Sequence, residues 1–215
     1  VLFRSAVTVE SGSLAKLLSA CVFPAGLSMV ILAGSELFTG NCLMVMALLE
    51  RRITPAQLLR NWLTVYLGNA MGGAAVAALA VYSHTASLFG DGLARSMVSI
   101  AESKVALGAG DAFLRGVLCN FLVCLAVWMA AASKRAEGKV IALFFPILLF
   151  VLCGYEHCIA NLYYLPAGAF AAAEYGMETT LTLAGCLKNL AAVTLGNLVG
   201  GAALGVGYRF AYLKE

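Results

Sequence analysis

The sequence predicts an all-α integral membrane protein, built as an inverted repeat of three helices plus three, in which two helices are broken at membrane depth. Three observations predict it. The chain is 62% hydrophobic and only 12% charged, against about 45–50% apolar and 25% charged in soluble domains, and its mean hydropathy is +0.91. Five apolar runs, at about residues 14–50, 56–82, 109–133, 140–173 and 188–213, each exceed the roughly 20 residues a spanning helix needs. Two of these runs are interrupted by a Gly-x-Glu, and each interrupted run is followed by a glycine-rich run of nearly the same sequence.

The first run cannot cross simply. A continuous helix over residues 14–50 would be about 55 Å long, against roughly 30 Å of hydrocarbon. Its interruption reads "AGSELFTGN" at residues 33–41, where Gly34 and Gly40, with Ser35, Glu36, Thr39 and Asn41 between and beside them, mark a local unwinding. Unwound backbone at this depth is tolerated only where protein buries it or where it lines a watery cavity. The second run, with "NWLTVYLGNAMGGAA" at 61–75, predicts a helix whose glycines let a neighbour approach closely. Residues 83–108 read as a loop carrying Asp91 and Glu102 together with Arg95 and Lys104; His84 within it, in "YSHTAS", reads as a solvated helix end. The third run is an uninterrupted span. The fourth repeats the length problem and breaks at Gly154, with Glu156, His157 and Asn161 following. The fifth carries "NLAAVTLGNLVGGAA" at 189–203, which matches 61–75 at an offset of 128 residues.

Positive residues orient the spans. Arg51, Arg52 and Arg60 follow the first run, Lys134, Arg135 and Lys139 the third, and Arg209 and Lys214 the last, so those ends are expected in the cytoplasm with the C-terminus. The alternate loops carry acids, including Glu174 and Glu178. The two repeat units are therefore inverted, with halves at about residues 1–85 and 105–215 of a single membrane domain covering 1–215. The chain opens "VLFRSAVTVE", without Met or a signal pattern, and the third run has no partner in the first half. Six helices are thus expected, the first of them absent from this sequence.

Paired breaks in inverted repeats point to a substrate site near the membrane midplane. His157 is the one histidine inside a predicted span, and intramembrane ionisable groups are functional by default. Glu36 and Glu156 read either as clamps accepting hydrogen bonds from unwound backbone N–H groups or as substrate contacts. Asn69 and Asn197 read either as helix-to-helix hydrogen bonds or as pore lining. The seven cysteines show no CxxC spacing and lie mostly in apolar runs, so they read as small buried residues rather than disulfides or metal ligands. No metal and no cofactor is expected. A formal charge of +3 suggests no nucleic acid partner.

Taken in order, "AGSELFTGN", "RNWLTVYLGNAMGG", "CNFLVCLAVWMA", "GYEHCIANLYYLP" and "VTLGNLVGGA" resemble the formate/nitrite transporter family over nearly the whole chain. The resemblance implies an aquaporin-like protomer with a pore of its own, assembled as a homopentamer in the lipid bilayer of the plasma membrane. It also assigns residues. Leu37, Phe38 and Thr39 match the gating loop at the first break, Phe23 and Leu27 match apolar pore-narrowing positions, and Phe150 matches the opposing constriction. Glu156, His157 and Asn161 match the set around a central histidine, Lys104 matches a lysine near the pore, and Asn120 and Asn197 match further polar positions.

The function expected from this resemblance is passage of small monovalent anions of weak acids, formate and nitrite, with a proton as partner and His157 giving pH dependence. Bare charge is costly in an apolar neck. Unlike chloride, these anions can be neutralised by a proton there. The alternative is a hydrosulfide channel of the same architecture. A neutral-solute pore of aquaporin type would use Asn-Pro-Ala breaks, and this chain has none. An enzyme would need a metal set or an activated nucleophile, which one histidine among scattered cysteines does not supply. A membrane scaffold would not need paired polar breaks.

Overall fold

The computed structural model describes residues 12–212; the opening "VLFRSAVTVE" and Lys214 lie outside them. The described residues form α1 (Gly12–Ala33), α2 (Phe38–Leu49), α3 (Pro55–Tyr82), α4 (Gly92–Val105), α5 (Ala109–Ala132), α6 (Ala136–Leu152), α7 (Cys158–Glu174) and α8 (Leu183–Tyr212), with no strand among them. Helices α1, α3, α5 and α8 are each long and apolar enough to cross a membrane. The two interrupted runs become the pairs α1/α2 and α6/α7, so five crossings correspond to the five apolar runs.

Both breaks are made the same way. Gly34 ends α1 at φ +71° and Gly154 follows the end of α6 at φ +69°, a left-handed conformation that glycine adopts without steric cost. After each glycine the backbone amide reaches back five residues: Ser35 N–H donates to Val30 O at 2.9 Å, and Tyr155 N–H to Phe150 O at 3.0 Å. This is the Schellman closure of a helix end. The next helices start from extended residues, Leu37 (φ −123°, ψ 121°) and His157 (φ −116°, ψ 114°).

Other starts follow ordinary capping chemistry. Thr54 accepts from Gln57 N–H while the Gln57 side chain accepts from Thr54 N–H, and Pro55 occupies the first turn of α3. Thr182 Oγ1 accepts from Gly185 N–H ahead of α8.

Helix α4 falls where the sequence reads as a loop. Its Leu93, Ala94, Met97, Val98 and Ala101 are buried on one face, against α7 residues including Ala167 and Ala171. The polar remainder keeps its hydropathy below that of a span, which hides it from a search for apolar runs. At its end, Thr180 N–H and the Thr179 hydroxyl donate to Glu102 at 2.8 and 3.0 Å and hold its carboxyl below the usual carboxylate range.

The glycine-rich runs have different fates. On α8, Gly196 and Gly200 pack directly on the Phe113 and Val117 carbonyls of α5. On α3, Gly68 and Gly72 meet nothing within 4 Å among the described residues, and only Gly73 packs closely, on Leu162 O. Close packing was expected at both zippers. Among the described residues α5 lies on the α8 glycine face, and nothing lies on Gly68 and Gly72. A methyl added at Gly200 would collide with the Val117 carbonyl, so Gly200→Ala should destabilise the fold by about 1–3 kcal/mol. Gly207→Ala, where nothing lies within 4 Å, is the matched control. Thermal unfolding in detergent should separate the two.

At one end of the bundle, Arg209 Nε donates to Glu50 Oε1 at 2.8 Å, tying α8 to the end of α2. Trp128, Tyr208 and Tyr212 cluster beside it in tilted and edge-on contacts, as aromatic residues do at a membrane interface. Cys42, Cys119, Cys124 and Cys158 are buried as small residues, whereas Cys21 and Cys153 are exposed; all are free thiols.

Candidate functional site

The two breaks meet at the centre of the described bundle, and Thr39 and His157 touch there. Thr39 Oγ1 lies 3.0 Å from His157 Nε2, and both residues are buried. The other ring nitrogen decides the direction of that bond. His157 Nδ1 accepts the Ala160 N–H at 3.1 Å, capping α7, so the proton of the neutral ring sits on Nε2 and points at Thr39. The Thr39 hydroxyl then has its own hydrogen free to donate. Its backbone carbonyl is held by Asn120 Nδ2 and Cys124 Sγ, each at 3.2 Å.

Apolar residues wall this pair. Phe150 stacks on the His157 ring, with centroids 5.9 Å apart at 21°, and Phe23 meets Phe150 edge-on at 5.3 Å. Phe23, Phe150, His157 and Ala160 line two cavities at once. One is apolar, of about 480 Å³, and includes Leu27, Leu37, Val123 and Ile147. The other is small, about 120 Å³, and includes Lys104, Asn161 and Tyr164. The aromatic pair is a partition between a polar and an apolar space.

Around each break the same polar network recurs. In the second half, Asn161 Nδ2 donates to Glu156 Oε2 at 2.9 Å and to Asn189 Oδ1 at 2.8 Å. In the first, Asn41 Nδ2 donates to Glu36 Oε2 and to Asn61 Oδ1, both at 2.8 Å. The unwound backbone is held by a second asparagine in each: Asn197 accepts from Cys158 N–H and donates to Glu156 O, as Asn69 accepts from Phe38 N–H and donates to Glu36 O. Tyr66 and Thr194, separated by the repeat offset, bond to one another at 3.0 Å.

These bonds change the expected division of labour. The carboxylates were expected to clamp backbone amides; instead Asn69 and Asn197 hold those amides and the carboxylates hold Asn41, Asn61 and Asn161. The reason is reach, since the glutamates precede the new helices while the asparagines project across from α3 and α8. Asn41 is read from sequence only as a mark of the first break, and Asn61 and Asn189 only as matched positions of the repeat, although a Glu-x4-Asn in both breaks was a readable signal of the network they form.

The halves differ in one charge. Lys104 Nζ lies 2.6 Å from Glu156 Oε1, with side chains 18% and 3% exposed, and Asn189 Nδ2 donates to Lys104 O. Glu36 is exposed and has no cation paired with it among the described residues. Asn161 Oδ1 is buried without a partner.

Not every candidate faces the cavities. Phe38 turns away, because the extended Leu37 before it sends successive side chains to opposite sides: Leu37 lines the apolar cavity, and Phe38 packs on Tyr66 and Trp62. Asn120 and Asn197 are fully buried and bond to backbone behind the wall, Asn120 to Thr39 O and Asn197 O. His84 is exposed at a turn, as its position suggested. Among the described residues no cluster of three His, Cys, Asp or Glu could hold a metal.

The family model described as "Formate/nitrite transporter" matches residues 1–211. The chain is 37% identical to "Formate channel FocA" of Haemophilus influenzae (strain ATCC 51907 / DSM 11121 / KW20 / Rd), over 98% of this chain and 80% of that protein. It is 38% identical to the "Probable formate transporter" of Methanothermobacter thermautotrophicus, over 94% and 77%. Two solved structures are similar in fold. "FNT family ion channel" superposes with a TM-score of 0.86 at 33% identity, covering 98% of this chain and 82% of that one. "Pentameric formate channel with formate bound" superposes at 0.84 with 32% identity, covering 99% and 91%.

Proposed function

The chain belongs to the formate/nitrite transporter family, and from that premise we propose that it passes small monovalent anions of weak acids, formate foremost, through a pore in each protomer of a homopentamer. Relatives named as formate channels and a formate-bound pentameric structure support formate and the pentamer. The family description supports nitrite as a second anion. Hydrosulfide is the second reading, favoured by the apolar partition, which a small neutral acid crosses readily.

The Thr39–His157 contact behind the Phe23–Phe150 pair carries the proposal. An anion enters the polar space by Lys104, loses water at the aromatic pair, and meets the Nε2 proton of His157 and the hydroxyl of Thr39. There it is stabilised by these hydrogen bonds while the Nε2–H stays on the ring, or it takes up a proton delivered from the water of the polar space, and the acid so formed carries that proton out through the apolar cavity past Leu27 and Leu37. Chloride is held back because it stays charged where charge is costly. Glu156 and Asn161 set the position of His157 and Lys104, and Glu36 does the equivalent work at the first break. In this reading the protein sits in the plasma membrane with its C-terminus in the cytoplasm, an orientation that Arg209 and the basic turns support.

Stopped-flow light scattering on proteoliposomes tests this. Formate should pass at least about tenfold faster than chloride, the ratio that 1.4 kcal/mol of selective stabilisation gives, with nitrite and hydrosulfide above chloride. Equal rates for all four would contradict it.

A further inference from the structure

We propose that Lys16 captures the anion first, at an outer site that precedes Lys104. This rests on the transport reading above. A cavity of about 450 Å³ opens above the second break, lined among others by Lys16, Ser19, Ser103, Lys104 and Tyr164. It shares Lys104 and Tyr164 with the small cavity at His157. Its lining therefore leads from Lys16 to the central pair.

Two ammonium groups face this space, and they are not equivalent. Lys104 is held by Glu156 at 2.6 Å and lies over the Tyr164 ring at 5.9 Å, so the pair presents little net charge. Lys16 is exposed, and no carboxylate pairs with it among the described residues. Its ammonium lies over the break, 3.8 Å from where a Cβ on Gly154 would sit. The two serines do not compete for the anion, because the Ser19 hydroxyl donates to Ala15 O and the Ser103 hydroxyl to Ile100 O.

The work divides accordingly. Lys104 neutralises a buried carboxylate and holds the break, while Lys16 supplies the net positive charge that concentrates a small carboxylate at the mouth. The sequence offered only Lys104 for this role, since Lys16 sits in an apolar run with nothing local to mark its direction. Its position emerges only once α1 is laid beside α6.

Lys16→Gln should slow formate uptake about threefold or more at low ionic strength, the effect of one charge acting over several ångströms of water with low-dielectric walls. Raising an impermeant salt to about 1 M, where the Debye length is about 3 Å, should bring variant and wild type together. Lys16→Arg should retain both the rate and its salt dependence. A Lys16→Gln protein with the wild-type rate and salt response would overturn the proposal, and so would a loss equal at every ionic strength, which would mean packing rather than charge. If the wild-type protein carries no formate, the transport reading fails as well, so the two failures are distinguishable.

Discussion

Replacing His157 by phenylalanine leaves formate flux reduced by roughly ten- to a hundredfold and insensitive to pH between about 5 and 8. A slightly larger aromatic ring keeps the stack on Phe150, so the aromatic partition stays closed while the ring nitrogens are lost. One hydrogen bond to a charged partner is worth about 1.5–3 kcal/mol, which gives that range. The pH response disappears with it because histidine is the side chain that ordinarily changes charge in this window. Phenylalanine also gives up the bond from Ala160 N–H, a loss of about 1 kcal/mol in helix capping. His157→Asn separates the two effects: asparagine can cap α7 but is too short to reach Thr39, so the variant should fold better than His157→Phe and still lose the pH response. Flux through either variant that keeps the wild-type pH profile would remove His157 from the proton step.

The second large effect is on the fold. Asn197→Ala leaves Cys158 N–H, Gly116 O and Glu156 O without the side chain that now bonds all three. Each of the three orphaned buried groups costs about 1–3 kcal/mol, and a total of at least about 3 kcal/mol places the change among the most disruptive single substitutions. Asn69→Ala removes the corresponding two bonds at the first break, where the surroundings are less buried, and should cost about 1–2 kcal/mol. Thermal unfolding of the detergent-solubilised protein should therefore rank wild type above Asn69→Ala and Asn69→Ala above Asn197→Ala. If Asn197→Ala melts with the wild type, the break is held by something other than this asparagine.

Spans and breaks were legible in the sequence because each has a local cause. Hydrocarbon length requires long apolar runs, and Gly34 and Gly154 mark the points where the helix must turn left-handed. The recurrence of Asn69 and Asn197 at a fixed offset foreshadowed matched roles, which the hydrogen bonds realise. What was hidden depends on partners distant in sequence. Gly72 and Gly200 stand in the same local sequence, yet among the described residues only Gly200 has a helix against it, and nothing in either stretch encodes that. Phe38 reads as part of a gate until the extended Leu37 fixes which side chain turns inward. Lys104 and Glu156 are 52 residues apart, and their pairing follows from α4, a helix too polar for hydropathy to register.

The claim at the centre is that formate meets His157 on its way through. The chain has only two histidines, and the other, His84, lies at an exposed turn, so nitrogen-15 labelling of histidine gives an uncrowded probe. Solid-state NMR of the labelled protein in lipid, loaded with carbon-13 formate, measures the dipolar coupling between formate carbon and ring nitrogen. A coupling to His157 Nε2 that is stronger than any to Nδ1, and that vanishes when excess unlabelled formate is added, is the predicted result. Formate that crosses the same membranes while coupling to neither nitrogen of His157 would contradict it.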